Sequence, residues 1–333
     1  MSLKPILADL ASANAQGVYF TPLPHLQVIR FSGADALTFL HGQVTHDVLG
    51  MPADQGRLAA YCSAKGRMLA SMVMWHGQDE AGQACVLAIV HASVAEALIK
   101  RLRMFVLRAK VQIAQMQASV SGVWAESAGA QQALADRVGE LAAQAWQRTE
   151  SGDDVWIAAP RAANGPAARW WHIAPGSAPA AEAQAEAVEA WGAQDIEAGL
   201  AWVTAPLQDL VNPLVANFDL IEGVSFTKGC YPGQEVVARS HYLGKQKRRG
   251  LIARLSPDAG TNAVDAVGAD VYQAGSAGEP LGRVINAAST PDGLRVMFEA
   301  PVAVAQSVEV RLGAPDGPAL TLIDLPYSLA AQA

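Results

Sequence analysis

The sequence predicts an α+β protein in which a ferredoxin-like unit is followed, near the C-terminal end, by a small all-β barrel. Three observations predict it. Two apolar strand-like runs, Met68 to Trp75 and Cys85 to Val90, precede apolar residues at helical spacing and then a further alternating run. Beyond Leu251 the apolar residues fall in short alternating runs separated by Pro, Asp and Gly. Between these regions lies an Ala-rich interval, 125–190, broken at Gly165-Pro166 and Pro175-Gly176.

The elements follow in chain order. Leu26 to Phe31 reads as a strand, and Ser32-Gly33-Ala34-Asp35 offers capping oxygens to a helix beginning at Ala36. Tyr61 to Arg67 reads as a turn feeding the Met68 strand, which pairs with Cys85 to Val90 as a hairpin. Val94, Leu98, Leu102 and Phe105 mark a helix, and Val111 and Ile113 the strand after it, which completes the ferredoxin-like order. The Ala-rich interval is expected to hold two helices flanking a small strand region around Trp170-Trp171-His172. Leu294 to Phe298 and Val308 to Leu312 are the clearest barrel strands, with Lys245 to Gly250 as the linker into the barrel.

Composition narrows the function classes. The 333 residues suffice for two or three domains, and with 51% hydrophobic and 17% charged residues the chain is expected to fold rather than stay disordered. A net charge of −7 argues against a surface built wholly for nucleic acid or anionic lipid. No run approaches the roughly 18 apolar residues of a membrane span, and the start lacks the long apolar region of a secretory signal. The expected compartment is therefore the cytoplasm. Cys62, Cys85 and Cys230 are odd in number and far apart, so no disulfide framework and no self-sufficient zinc or iron–sulfur site is expected. No metal ligands are assigned.

The segment Lys228-Gly229-Cys230-Tyr231-Pro232-Gly233-Gln234-Glu235, continuing to Arg239, is the densest unusual stretch. Two glycines and a proline force a turn, which displays Cys230, while free cysteines otherwise tend to be buried. Lys228 and Arg239 are placed to favour its thiolate.

This segment resembles the signature of the YgfZ-type folate-binding proteins, relatives of the glycine-cleavage aminomethyltransferase that assist iron–sulfur cluster assembly or repair. Gly42-Gln43-Val44-Thr45, Asp47-Val48, Ala64-Lys65-Gly66-Arg67, Ile196-Glu197-Ala198-Gly199, Asn217, Gly223-Val224-Ser225-Phe226 and Leu325-Pro326-Tyr327-Ser328-Leu329 look like family blocks in family order. The resemblance implies an aminomethyltransferase-like three-domain ring around a central channel that binds tetrahydrofolate. The implied domains are a discontinuous folate-binding domain (1–55 plus 120–245), a ferredoxin-like unit (56–119) and a C-terminal barrel (250–333). Cys230 is implied as the functional thiol, with Trp191, Glu197, Lys228, Tyr231, Gln234, Glu235 and Arg239 at the folate. Where aminomethyltransferases carry an Asp pair this chain has Ala70 and Ser71, neither of which can bear the needed charge. Trp191 is the expected aromatic wall for a pterin, its alternative role being core packing. A second family tryptophan would fall near Leu26.

Lys100, Arg101, Arg103, Arg108 and Lys110 put five cations in eleven residues. They read as a solvated helix end, or else as an attractor for a polyglutamyl tail or RNA phosphates. His41, His46 and His241 lack ligand spacing and read as structural. The expected function is a folate-binding accessory factor for iron–sulfur client enzymes or cluster carriers, touching tRNA only indirectly and no membrane. The alternatives are a folate-dependent one-carbon transferase using Glu197 or Glu235, and a plain tRNA-binding module.

Overall fold

Strands buried over nearly continuous runs form two sheets and a barrel in the computed structural model, which describes residues 17–177, 183–242, 247–276 and 278–329. In chain order come β1 (Val18–Pro22), β2 (Leu26–Ser32), α1 (Ala36–His41), β3 (Gly56–Cys62), β4 (Met68–Gln78) and β5 (Ala84–His91). Next are α2 (Ala92–Arg103), β6 (Gln112–Gln115), β7 (Ala118–Ala125), α3 (Ala128–Val138), β8 (Arg148–Ser151), β9 (Asp154–Ala158), β10 (Ala168–Pro175) and α4 (Ala185–Glu197). Last are α5 (Gln234–Tyr242), β11 (Arg248–Leu255), β12 (Asp270–Gln273), β13 (Gly282–Thr290), β14 (Gly293–Pro301), β15 (Val310–Leu312) and β16 (Ala319–Ile323).

The chain divides into two units, the first comprising 1–40, 48–57 and 73–191 and the second the remainder. In the first, an antiparallel sheet of order β1-β7-β10-β9-β8 packs Val123, Trp156 and Trp170 against Leu134 and Val138 of α3. The strand region around Trp170 is thus larger than the sequence suggested, because β9 pairs onto β10 and β8 onto β9. The other sheet has the order β3-β4-β5-β2-β6. Helix α2 buries Val94, Leu98 and Leu102 at helical spacing, and His91 caps its start by accepting from the Ser93 N–H at 3.2 Å. Within the Ser32-Gly33-Ala34-Asp35 segment expected to cap α1, the Asp35 carboxylate accepts the Lys110 N–H at 2.7 Å. Its backbone carbonyl opens the helix instead.

In the second unit β11-β14-β13-β12-β15-β16 form a closed barrel. Leu251, Ala253 and Leu255 alternate inward and meet Leu294, Val296 and Phe298 across the β11–β14 pair. The linker expectation needs correction. Arg248, Arg249 and Gly250 already lie in β11, since Arg249 is 5% exposed and its guanidinium donates to both Asp219 carboxylate oxygens at 2.6 and 3.0 Å. Lys245 and Gln246 lie outside the described residues. Among the described residues no helix is long and apolar enough to cross a membrane.

Candidate functional site

The loop Lys228 to Gly233 is held by a turn that contributes its own glycine. Gly233 has φ +80°, and a Cβ there would stand 2.4 Å from the Ser63 carbonyl oxygen and 2.7 Å from the Gly66 Cα. A Cβ on Gly66, at φ +70°, would stand 2.9 Å from the Val236 Cβ. Only glycine combines that backbone conformation with that approach. The turn is fixed by a Ser63 hydroxyl donating to Asp209 Oδ1 at 2.6 Å and by the Asn212 amide donating to the Gly66 carbonyl at 3.1 Å. From Gly233 the chain enters α5, whose far end packs His241 on Phe226 with ring centroids 3.8 Å apart.

On this loop Cys230 is exposed, whereas Cys62 and Cys85 are buried. Burial pushes the Cys85 thiol up and the Cys62 thiol well beyond its ordinary range. Lys228 is 9% exposed and donates from Nζ to the backbone carbonyls of His41 and Val44, the latter at 2.7 Å. Burial pulls its ammonium down to about 8 against the opposing pull of Asp47 and Cys230. The amine therefore remains mostly charged at neutral pH, tied to those two carbonyls beside the Cys230 loop. Tyr231 turns inward, 7% exposed, with its ring 5.1 Å from Lys228 Nζ. Burial, and then Cys62, push its phenol up.

His41, which reads as structural in the sequence, stands beside this cluster. His41 Nδ1 lies 3.1 Å from Asp47 Oδ1, and its Nε2 approaches Gly229. Burial and the Lys228 charge lower its pKa while Asp47 pulls the other way. Its place beside Gly42-Gln43 was the available signal, but a single histidine has no ligand spacing to betray it.

The remaining expected residues scatter. Gln234 is half-buried, and Glu235 and Arg239 are exposed on α5, one turn apart. Glu197 ends α4 and accepts from Arg295 Nε at 2.6 Å. Trp191 belongs to the first unit, is 0% exposed, and lies on the β7–β10 face with Arg169 Cζ 3.9 Å from its ring centroid. A Cβ at Gly122 would stand 2.3 Å from its six-membered ring, so that glycine makes the indole's room. Ala70 and Ser71 are buried, and the Ser71 hydroxyl accepts the Val203 N–H at 2.9 Å. Both positions serve packing. Among the described residues no three His, Cys, Asp or Glu side chains are grouped to hold a metal ion.

No protein-family model matches the chain. It is 31% identical over 315 residues to the tRNA-modifying protein YgfZ of Yersinia enterocolitica, covering 91% of this chain and 90% of that protein. The protein of the same name from Yersinia pseudotuberculosis is likewise 31% identical, over 319 residues and the same shares. Among solved structures, the glycine cleavage system aminomethyltransferase T from Bartonella henselae superposes with a TM-score of 0.67 at 17% identity, covering 95% of this chain and 87% of that one. The fold is thus aminomethyltransferase-like, and the chain belongs to the family of the tRNA-modifying protein YgfZ.

Proposed function

We propose that this protein is a cytoplasmic, folate-binding accessory factor for assembly or repair of iron–sulfur clusters in client enzymes, including those that thiolate tRNA, and that Cys230 is its working thiol. The observation that carries the reading is the exposed Cys230 on a loop braced by Gly66 and Gly233, with the Lys228 ammonium fixed close by. Unpaired cysteines suit a reducing compartment. The reading retains the division into 1–55 with 120–245, 56–119 and 250–333. tRNA is reached through the client enzymes, as the chain's net charge of −7 suits no broad phosphate-binding surface.

In this reading the chain's own residues do three things. The glycine pair holds Cys230 out, Lys228 keeps a positive charge beside the loop, and the carbonyls of His41 and Val44 keep the ammonium from swinging away. A single thiol cannot house a cluster alone, so any cluster or sulfur is cargo shared with a partner. Tetrahydrofolate is the cofactor of the reading and supplies a one-carbon carrier when bound. The donors on α5 fit it: the exposed Arg239 guanidinium suits a glutamyl carboxylate, and the Gln234 amide suits the polar edge of a flat ring. Trp191 does not fit as a stacking wall, because its indole is closed off from solvent.

Aminomethyl transfer is the weaker reading. The positions of the aminomethyltransferase carboxylates hold Ala70 and Ser71, and Glu197 is committed to Arg295. The test is complementation. Cells lacking their own such factor should regain iron–sulfur enzyme activity when given this chain, and no recovery from well-expressed, folded protein contradicts the proposal.

A further inference from the structure

Between α2 and β6 the first unit carries a surface knuckle that nothing in the thiol site uses. Met104 is 61% exposed, Phe105 48% and Leu107 86%, three large apolar side chains within four residues. They stand on ordered backbone. Successive turns link Met104 to Arg101, Phe105 to Leu102 and Val106 to Arg103. At one end the Arg103 guanidinium donates twice to the Ile113 carbonyl, at 3.1 and 2.5 Å. At the other the Lys110 backbone is bonded to Asp35, and a Cβ at Gly33 would collide with the Lys110 carbonyl oxygen. Lys100, Arg101, Arg108 and Lys110 flank the apolar group in sequence and are exposed. Among the described residues no carboxylate lies within ion-pair distance of these four side chains.

We propose that this knuckle is a docking surface for an acidic segment of a partner protein that also presents apolar side chains. Charge complementarity selects an anionic partner, since five cations gather here on a chain whose net charge is −7. The apolar residues select a protein. Arg, Met and aromatic residues are the types enriched at protein interfaces, whereas Met104 and Leu107 gain nothing from phosphates, and Phe105 alone makes a poor stacking platform for RNA. Pinning at both ends means the surface is preformed, so docking costs little ordering of the knuckle itself. The proposal rests on the accessory-factor reading only in that such a factor must meet its clients.

The experiment uses the full chain and three fluorescent probes: a synthetic peptide of Asp and Glu with Leu and Phe at helical spacing, an oligouridylate, and vesicles containing phosphatidylglycerol. The peptide is expected to bind most tightly, and its affinity to fall with added salt. Reversing charge in Arg101→Glu/Arg108→Glu should weaken it at least about tenfold. Removing apolar surface in Met104→Ser/Leu107→Ser, which leaves charge unchanged, should weaken it at least about fivefold. Tighter binding of oligouridylate or vesicles than of peptide overturns the proposal, as does a peptide affinity insensitive to Met104→Ser/Leu107→Ser. The outcome is separable from the thiol reading, because neither variant touches Cys230 and its alkylation rate serves as the control for an intact fold.

Discussion

Gly233 and Gly66 face each other with no room for a side chain between them: a Cβ on Gly233 would stand 2.7 Å from the Gly66 Cα. Two turns 167 residues apart in sequence are thereby locked together, and the loop bearing Cys230 inherits its course from that contact. Gly233→Ala adds a methyl group against backbone at a positive φ. It should destabilise the protein by about 2 kcal/mol or more and change the rate of Cys230 alkylation, as read by urea denaturation and peptide mass. Wild-type values for both would mean that the glycine pair does not set the loop.

The three thiols should separate by reactivity. Cys230 is exposed, while burial disfavours the thiolates of Cys62 and Cys85. A slow alkylating reagent at neutral pH should therefore label Cys230 first. Labelling of Cys62 at a comparable rate in folded protein would contradict the placement.

Lys228 should control that reactivity. Its amine, drawn down to about 8, carries charge at pH 7 and loses it as the pH rises through 8. Lys228→Met should slow Cys230 alkylation at pH 7 by several fold, with the two proteins converging at high pH where wild-type Lys228 is also neutral. A constant ratio across the range would show that Lys228 acts only by packing.

Trp191 should behave as a core residue. With its indole wholly buried against the β7–β10 face, Trp191→Ala is expected to cost about 3–5 kcal/mol of stability. Denaturant midpoints measure this. A near-neutral effect on stability with a selective loss of folate affinity would return the ring to the ligand.

Acid should weaken the first unit through His25, whose pKa burial lowers from 6.5 to about 4, with His91 adding to the effect. Because the folded value lies below the unfolded one, the unfolded chain binds more protons between these limits. This stability contribution is complete above pH 6.5 and is lost as the pH falls through 4. His25→Gln should flatten the stability profile over that window, and an unchanged profile would assign acid sensitivity elsewhere.

Much of the fold was legible because periodicity reports burial directly. Met68–Gln78, Ala84–His91 and α2 emerged where the apolar spacing placed them, and the barrel strands alternate as Leu294, Val296 and Phe298 do. Contacts distant in sequence were not legible. That Gly66 sits under Gly233, that Arg249 is buried on Asp219, and that His41 and Asp47 flank Lys228 depend on tertiary packing with no local pattern. For the same reason the exposure of Cys230 is legible in its turn residues, while the choice between ligand wall and core packing for Trp191 is not.

The central claim is that the function runs through the Cys230 thiol, and replacing its sulfur with oxygen tests this most directly. Cys230→Ser should fold with wild-type stability and bind folate unchanged, since the side chain projects from the loop rather than into the core. In cells lacking their own factor, the expected result is loss of support for iron–sulfur enzyme activity despite normal protein levels. Full complementation by Cys230→Ser would contradict the claim and leave folate binding or partner docking as the working function.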